Sequence, residues 1–288
     1  MKYFDVSGFA APVRHPKKIS AAGMGTTSFW SGSNAGLDRC IRTAVTEYGV
    51  TVLDTAEMYG GGRCETELGK TVGSLDRESL FIVDKILPSN VQKKVFRRRL
   101  EESLKRLKTD YIDLYLLHWR ENADLQLMVD EMEAARTDGL ISAWGVSNFD
   151  VNDMKDLLDC ENGRNCFCNQ IYYSVYERGT EFDLLPLLKQ EHILPMAYSS
   201  LGSGFAAHPD IRREHRIMDA CREAGIVPEA FMLKFVAEHG VQALFQTSSL
   251  QHLRDDLKEV PDRVYAEILP LFEEAFPAPQ KAKPLVKM

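Results

Sequence analysis

No apolar run in this 288-residue chain approaches the roughly 20 residues that a membrane-spanning helix needs, so no membrane partner is expected. The opening residues, M-K-Y-F-D-V-S-G, lack the apolar core of a signal peptide, and a cytoplasmic location is the expectation. Cysteine is sparse. Cys40, Cys64, Cys160, Cys166, Cys168 and Cys221 are scattered in a way that fits a reducing compartment better than a disulfide framework. The only cluster, Cys160 to Cys168, contains no histidine and lacks paired C-x₂₋₄-C and H-x₃₋₅-H spacing, so no metal is expected. Excess positive charge is also missing. Thirty-five Lys and Arg against 42 Asp and Glu leave a net charge of −7, which argues against a nucleic-acid or anionic-membrane partner. No P-loop is present. Gly60 to Gly62 follow an apolar run but lack both the G-x-G-x-x-G spacing and the acidic residue about 20 positions on. With no heptad stripe either, a monomer is the default.

What is present is alternation. Val50 to Leu53 is a short β-branched run that reads as a buried strand ending on Asp54, with Tyr59 and three glycines in the loop beyond. Further strands read as Ile19 to Gly25, Leu80 to Lys85, Ile112 to His118, Ile141 to Val146, Asn169 to Tyr173, His192 to Ala197 and Val241 to Gln246. Helical stripes separate them: Leu37 to Tyr48, Glu65 to Val72, Val91 to Leu107, Leu125 to Arg136, Val151 to Leu158 and Asp183 to Gln190. Later ones cover Ile211 to Glu223 and Pro228 to Glu238, and a last helix begins at Leu250. Eight strand–helix alternations over about 250 residues point to a single-domain (β/α)8 TIM barrel rather than an open sheet. The domain is expected to span residues 1–288, with a loosely held tail after Phe276.

In such a barrel the strand C-termini form the active face. Asp54, Tyr59, Lys85 and His118 lie at or just after the ends of the second, third and fourth strands, which should be neighbours. A free phenol titrates near 10, and an adjacent ammonium lowers that value. A chain Asp54···Lys85···Tyr59 would thus make a phenol able to give a proton to a developing alkoxide, while His118 steers a carbonyl by hydrogen bonding. Each residue has a plainer reading too. Asp54 and Lys85 could be a structural ion pair, Tyr59 a loop anchor, and His118 a core histidine or a metal ligand.

The segments D-T-A-E-M-Y-G-G-G-R-C-E-T-E-L-G, D-K-I, S-L-K-R-L-K-T-D-Y-I-D-L-Y-L-L-H-W, G-V-S-N-F, N-Q-I-Y-Y-S and A-Y-S-S-L-G-S-G occur in this order over nearly the whole chain. In them the chain resembles the aldo-keto reductase superfamily. The resemblance implies NAD(P)H-dependent reduction of a small-molecule aldehyde or ketone, with Tyr59 as proton donor, Lys85 and Asp54 tuning it, and His118 orienting the carbonyl. It implies that Ser147, Asn148 and Gln170 hydrogen-bond the nicotinamide carboxamide and that Tyr198 stacks on its ring. It also places Gly25, Thr26, Asp54, Ser199 and Leu201 beside the cofactor. The superfamily includes accessory proteins with slow turnover, so a cofactor-binding regulatory or redox-sensing subunit is the alternative expectation.

The chain departs from the family pattern in places. Thr27 follows Thr26 where a bulky aromatic is frequent, and the aromatics arrive as Phe29 and Trp30. Trp30 and Trp119 are expected to line the substrate pocket. At the site implied for the adenosine 2′-phosphate, Gln246 stands where Lys is frequent and His252 where Arg is frequent, followed by Asp255 and Asp256. Thr247 and Ser248 still offer hydroxyls, and Asp256 could accept from the adenine amino group. NADPH is therefore expected, with NADH possible and the preference weaker than in members carrying both Lys and Arg.

Overall fold

The computed structural model describes residues 2–7, 9, 18–31, 34–202 and 211–287. Ser203 and Gly204 of the A-Y-S-S-L-G-S-G segment lie outside these. A short antiparallel pair comes first, β1 (Tyr3–Asp5) with β2 (Lys18–Ser20). The alternating part then runs β3 (Ala22–Gly25), α1 (Asn34–Tyr48), β4 (Val52–Asp54), α2 (Arg63–Val72), β5 (Phe81–Ile86), α3 (Val95–Leu107), β6 (Ile112–Leu117) and α4 (Leu125–Thr137). It continues with β7 (Ile141–Ser147), α5 (Val151–Leu158), β8 (Cys168–Tyr172), α6 (Leu184–Gln190), β9 (Leu194–Tyr198), α7 (His215–Glu223), α8 (Pro228–Glu238), β10 (Gln242–Phe245), α9 (Leu250–Asp256) and α10 (Asp262–Ala275). Strands β3 to β10 pair parallel in sequence order, and β10 closes on β3. This is the (β/α)8 barrel.

The barrel separates two apolar layers, as the two-residue period of a strand requires. Val52, Phe81, Val83, Leu114, Leu116, Phe167 and Met196 fill the interior. Leu53, Ile82, Ile86, Tyr115, Leu117 and Trp144 face the helices and pack with Leu100, Met128 and Phe231. Each such side chain contributes about 1.5–3 kcal/mol when taken out of water, so the two faces together fix the strand register.

Three features were not foreseen. The run from Ile19 divides at Ala21, so that β2 pairs with β1 beneath the barrel while β3 enters it. Val6 and Ile19 join the interior cluster, and Phe9 meets Phe167 edge-on at 5.8 Å, so this pair closes the N-terminal end. Helix α3 starts at Val95 rather than Val91, after Lys94 takes a left-handed φ of 69°. The last expected helix stops at Asp256, and α10 follows it, burying Val264, Ile268 and Phe272 on one stripe. The tail 277–287 has neither helix nor strand, but Leu285 packs against the core and Lys287 bonds Asp153 at 2.9 Å.

Candidate active site

The site stands on the interior filling. Along β4, β5 and β6 the inward residues are Val52 then Asp54, Phe81 and Val83 then Lys85, and Leu114 and Leu116 then His118. One step above the apolar plug, each strand thus turns a polar group inward at its C-terminal end. Tyr59 comes from the β4–α2 loop, where Gly60, Gly61 and Gly62 all take left-handed φ values between 59° and 91°. That tight turn is open to glycine without steric cost.

The four sequence-predicted residues converge. Lys85 Nζ donates to Asp54 Oδ1 at 2.7 Å, to Asp54 Oδ2 at 2.8 Å and to the Thr55 carbonyl at 2.8 Å, and it reaches the Tyr59 hydroxyl at 3.4 Å. The Tyr59 and His118 rings meet edge-on at 5.7 Å. The His118 ring in turn lies 4.8 Å from that of Trp119, whose indole N–H donates to Glu121. Trp30 is 66% exposed at the mouth and rests over Gly60, where an added Cβ would come within 2.9 Å of its ring.

Burial sets the charge state of each group. The phenol of Tyr59 lies above its ordinary pKa because desolvation outweighs the opposing pull of the Lys85 ammonium. This corrects the expected net lowering: Lys85 pulls in the anticipated direction, but the dry site wins. Burial is also the largest influence on the Lys85 ammonium and works against it, yet Asp54, with Tyr59 and Asp84, together outweigh it and hold the lysine pKa above its usual value. Burial, helped by Lys85, pushes His118 down to about 3, so its imidazole is neutral at physiological pH. The arrangement is a protonated phenol, a fixed ammonium and a neutral imidazole around one inward-facing spot.

Adjacent strand ends bring further polar groups to that spot. Gln170, on β8, donates to Asp54 Oδ2 at 2.8 Å, and Thr26 donates to the Asp54 carbonyl at 2.9 Å. Ser147 Oγ donates to the Gln170 carbonyl, and Asn148 Nδ2 donates to Ser147 Oγ and to the His118 carbonyl. Asn148 has a φ of 61°, and Tyr198 donates to its Oδ1 at 2.6 Å while stacking on Tyr172 at 5.6 Å. Ser199 and Leu201 follow half-buried in the loop after β9, with Ser199 also left-handed. Gly25 ends β3, where an added Cβ would find ordinary contacts no closer than 3.7 Å.

The residues expected at the adenosine end are less gathered. Both ends of the Gln246 amide bond Ser28, which ties the end of β10 to the first loop. Thr247 Oγ1 accepts from Ser249 N, Ser249 caps α9 by accepting from His252 N, and Ser248 is exposed. His252 is exposed, and Asp255 accepts from Gln251. Asp256 is buried in a groove with Ala230 and Leu233, where desolvation, with Glu229 and Asp255 adding to it, raises its pKa to about 7.

Two groups of buried charge escaped the reading of the sequence. Glu57, between Asp54 and Tyr59, is 3% exposed, accepts from Leu87 N and Asn90 Nδ2, and forms an ion pair with Arg99. Behind Lys85, on the outward face of β5, Asp84 is fully buried beside Glu65, and its pKa is raised well above the carboxylate range by burial and by Glu65. Arg106 pairs with that Glu65 at 2.7 Å across the α2–α3 contact, where Gly69 allows close approach to the Arg106 carbonyl. The signal for Asp84 was its placement inside the otherwise apolar run L-F-I-V-D-K.

Comparison with known proteins agrees with this geometry. The model of the Aldo/keto reductase family matches residues 22–268. Methylglyoxal reductase YeaE of Escherichia coli (strain K12) is 32% identical over 267 residues, covering 91% of this chain and 93% of its own. An NADH-specific methylglyoxal reductase of the same organism is 30% identical over 65% of each chain. The crystal structure of an aldo/keto reductase from Klebsiella pneumoniae in complex with NADP and acetate superposes with a TM-score of 0.88 at 33% identity, covering 94% of this chain and 96% of that one. A parallel barrel, a family match over most of its length and relatives aligned nearly end to end lead to one conclusion: the chain belongs to the aldo/keto reductase family.

Proposed function

We propose that this protein reduces small aldehydes and ketones with NADPH, Tyr59 giving the proton. The observation that carries the reading is the Lys85 ammonium, held by both Asp54 oxygens while reaching the Tyr59 hydroxyl beside His118. The donor set fits a nicotinamide dinucleotide. Ser147, Asn148 and Gln170 offer the hydroxyl and amides that a carboxamide needs, next to the Tyr198 ring. On this reading Gly25, Thr26, Ser199 and Leu201 belong to the nicotinamide half and Gln246, Thr247, Ser248, His252 and Asp255 to the adenosine half, whereas the groove that holds Asp256 with Ala230 and Leu233 argues against that residue's inclusion. When bound, the reduced nicotinamide supplies the hydride for the carbonyl carbon.

The chain's own residues do the rest. The neutral His118 imidazole has one N–H to donate, and it orients the carbonyl oxygen. Tyr59, kept protonated by its dry surroundings, delivers its proton to the oxygen as negative charge develops there. Lys85 stabilises the phenolate left behind, and Asp54 holds that ammonium in place. Trp30 and Trp119 wall the entrance. Two relatives are methylglyoxal reductases, so methylglyoxal leads the substrate set. The reading takes the chain as one domain, acting as a cytoplasmic monomer.

The test is steady-state oxidation of NADPH and NADH by purified protein, with methylglyoxal and a series of aliphatic and aromatic aldehydes. Turnover well above that of the Tyr59→Phe variant is expected. No difference from that variant on any carbonyl would overturn the reading and favour a regulatory subunit. Light scattering on the eluted protein checks the monomer.

A further inference from the structure

Three members of the site are rooted in strands or directly at their ends, but Tyr59 sits in a loop five residues beyond Asp54. Thr55 and Ala56 at its start are fully buried, but little in the side chains flanking Tyr59 holds it. Met58 before it is 44% exposed, and the three residues after it are the glycines of the turn. The backbone adds two bonds to β5, Thr55 N donating to the Val83 carbonyl at 2.9 Å and Glu57 N to the Lys85 carbonyl at 3.2 Å, and two local turns, Tyr59 N donating to the Ala56 carbonyl and Gly61 N to the Met58 carbonyl.

Besides the bond from Lys85 Nζ to the Thr55 carbonyl, the side-chain anchor beyond Ala56 is Glu57, only 1% exposed. Its Oε1 accepts from Leu87 N at 2.8 Å and from Asn90 Nδ2 at 2.7 Å, and its Oε2 lies 2.9 Å from Arg99 Nε on α3. A carboxylate is costly to bury without such partners, whereas an apolar residue would fill the position more simply. What the carboxylate adds is direction: every partner belongs to the segment immediately after Lys85 or to the helix that follows it.

We propose that Glu57 is a positioning residue, tying the Tyr59 loop to the chain beyond Lys85 and so setting the Tyr59 hydroxyl against the Lys85 ammonium for proton delivery. This rests on the reading of Tyr59 as the donor. The groups facing the phenol are Asp54 from β4, Lys85 and more distantly Asp84 from β5, and the His118 ring after β6. Glu57 touches none of the reacting atoms. It acts by fixing how far one of them stands from another.

The experiment compares Glu57→Ala, Glu57→Gln and Glu57→Asp with wild type for kcat, KM, cofactor Kd and the pH profile of carbonyl reduction. Glu57→Ala should lower kcat about 10- to 100-fold with cofactor Kd within twofold. Its alkaline limb should move to higher pH, because a phenol withdrawn from the ammonium is a weaker acid. Glu57→Gln, which keeps an acceptor for Leu87 N and Asn90, should recover most of kcat. In a Tyr59→Phe background, Glu57→Ala should add nothing further. An unchanged kcat and alkaline limb in Glu57→Ala, or a further additive loss on Tyr59→Phe, overturns the proposal. If Glu57→Ala does not fold, Glu57→Asp keeps the charge but shortens the tether, and an unmoved limb there overturns it equally. Full activity of Tyr59→Phe alone instead removes the donor reading itself, so the two failures are distinct.

Discussion

Lys85 Nζ lies 2.7 Å and 2.8 Å from the two oxygens of Asp54, with the lysine side chain fully buried and the aspartate 7% exposed. A pair this dry depends on both partners, because either one alone would be an uncompensated charge in the barrel. Lys85→Met should therefore cost about 3–5 kcal/mol of stability as well as nearly all activity. Chemical denaturation beside a kinetic assay checks both, and a variant as stable as wild type would contradict the ion-pair account.

Tyr59→Phe separates chemistry from fold. It keeps the ring and removes the hydroxyl, so carbonyl reduction should slow by about 10²–10⁴-fold with cofactor affinity and stability nearly intact. Retention of more than about a tenth of wild-type turnover, well outside the range for lost acid catalysis, would exclude Tyr59 as the acid.

The His118 pKa of about 3 has a consequence for stability. An unfolded histidine titrates near 6.5, so between these values the unfolded chain binds a proton here that the folded chain does not. Stability from this group is thus full above 6.5 and is lost as pH falls toward 3. The slope is about 1.4 kcal/mol per pH unit. Buried acids with raised pKa, such as Asp113 at about 7, contribute with the opposite sign. The measurement is therefore the stability of wild type minus that of His118→Asn, which should shrink steadily from pH 6 to pH 4. A constant difference over that range would mean that the imidazole is not held neutral.

Tyr198 presents its ring at the end of β9, backed by Tyr172 and held by its bond to Asn148. Tyr198→Ala removes a stacking surface worth about 0.5–1.5 kcal/mol beyond its area, so cofactor Kd should rise roughly tenfold. Tyr198→Phe keeps the surface and should change Kd little. Equal affinity in all three proteins would take Tyr198 out of the cofactor site.

Cofactor choice is expected to rest on the residues after β10 and the start of α9. With Gln246 engaged by Ser28 and His252 exposed at the start of α9, no lysine or arginine stands at either expected position. His252→Arg supplies a planar fork for a phosphate, and one charged hydrogen bond of about 1.5–3 kcal/mol should raise the ratio of kcat/KM for NADPH over NADH by at least tenfold. A ratio that stays within about twofold of wild type, far below the effect of one such bond, would move the 2′-phosphate away from α9.

Much of this was legible because it follows from period and punctuation. Val52–Asp54, Val83–Lys85 and Leu116–His118 each announce an inward polar residue two steps above an inward apolar one, and strand adjacency does the rest. What could not be read depends on contacts distant along the chain. The sequence around Glu57 does not say that its carboxylate meets Arg99, nor does Gln246 reveal Ser28, which lies 218 positions away. The sign of the Tyr59 shift differs from the sequence expectation for a related reason. Charge is visible in a sequence, whereas the dryness that outweighs it comes from packing.

The anchoring of Glu57 also bears on how such an enzyme can be altered, by evolution or in the laboratory. Loops above a barrel are usually exchangeable, because the strands below keep their places whatever the loops do. Here the β4–α2 loop is fastened to the β5–α3 connection and to α3 itself. A transplant of the Tyr59 loop alone would carry a carboxylate into a host lacking its arginine. The transferable module is therefore the whole stretch from Asp54 through Arg99, and recombination breakpoints that preserve activity should fall outside it.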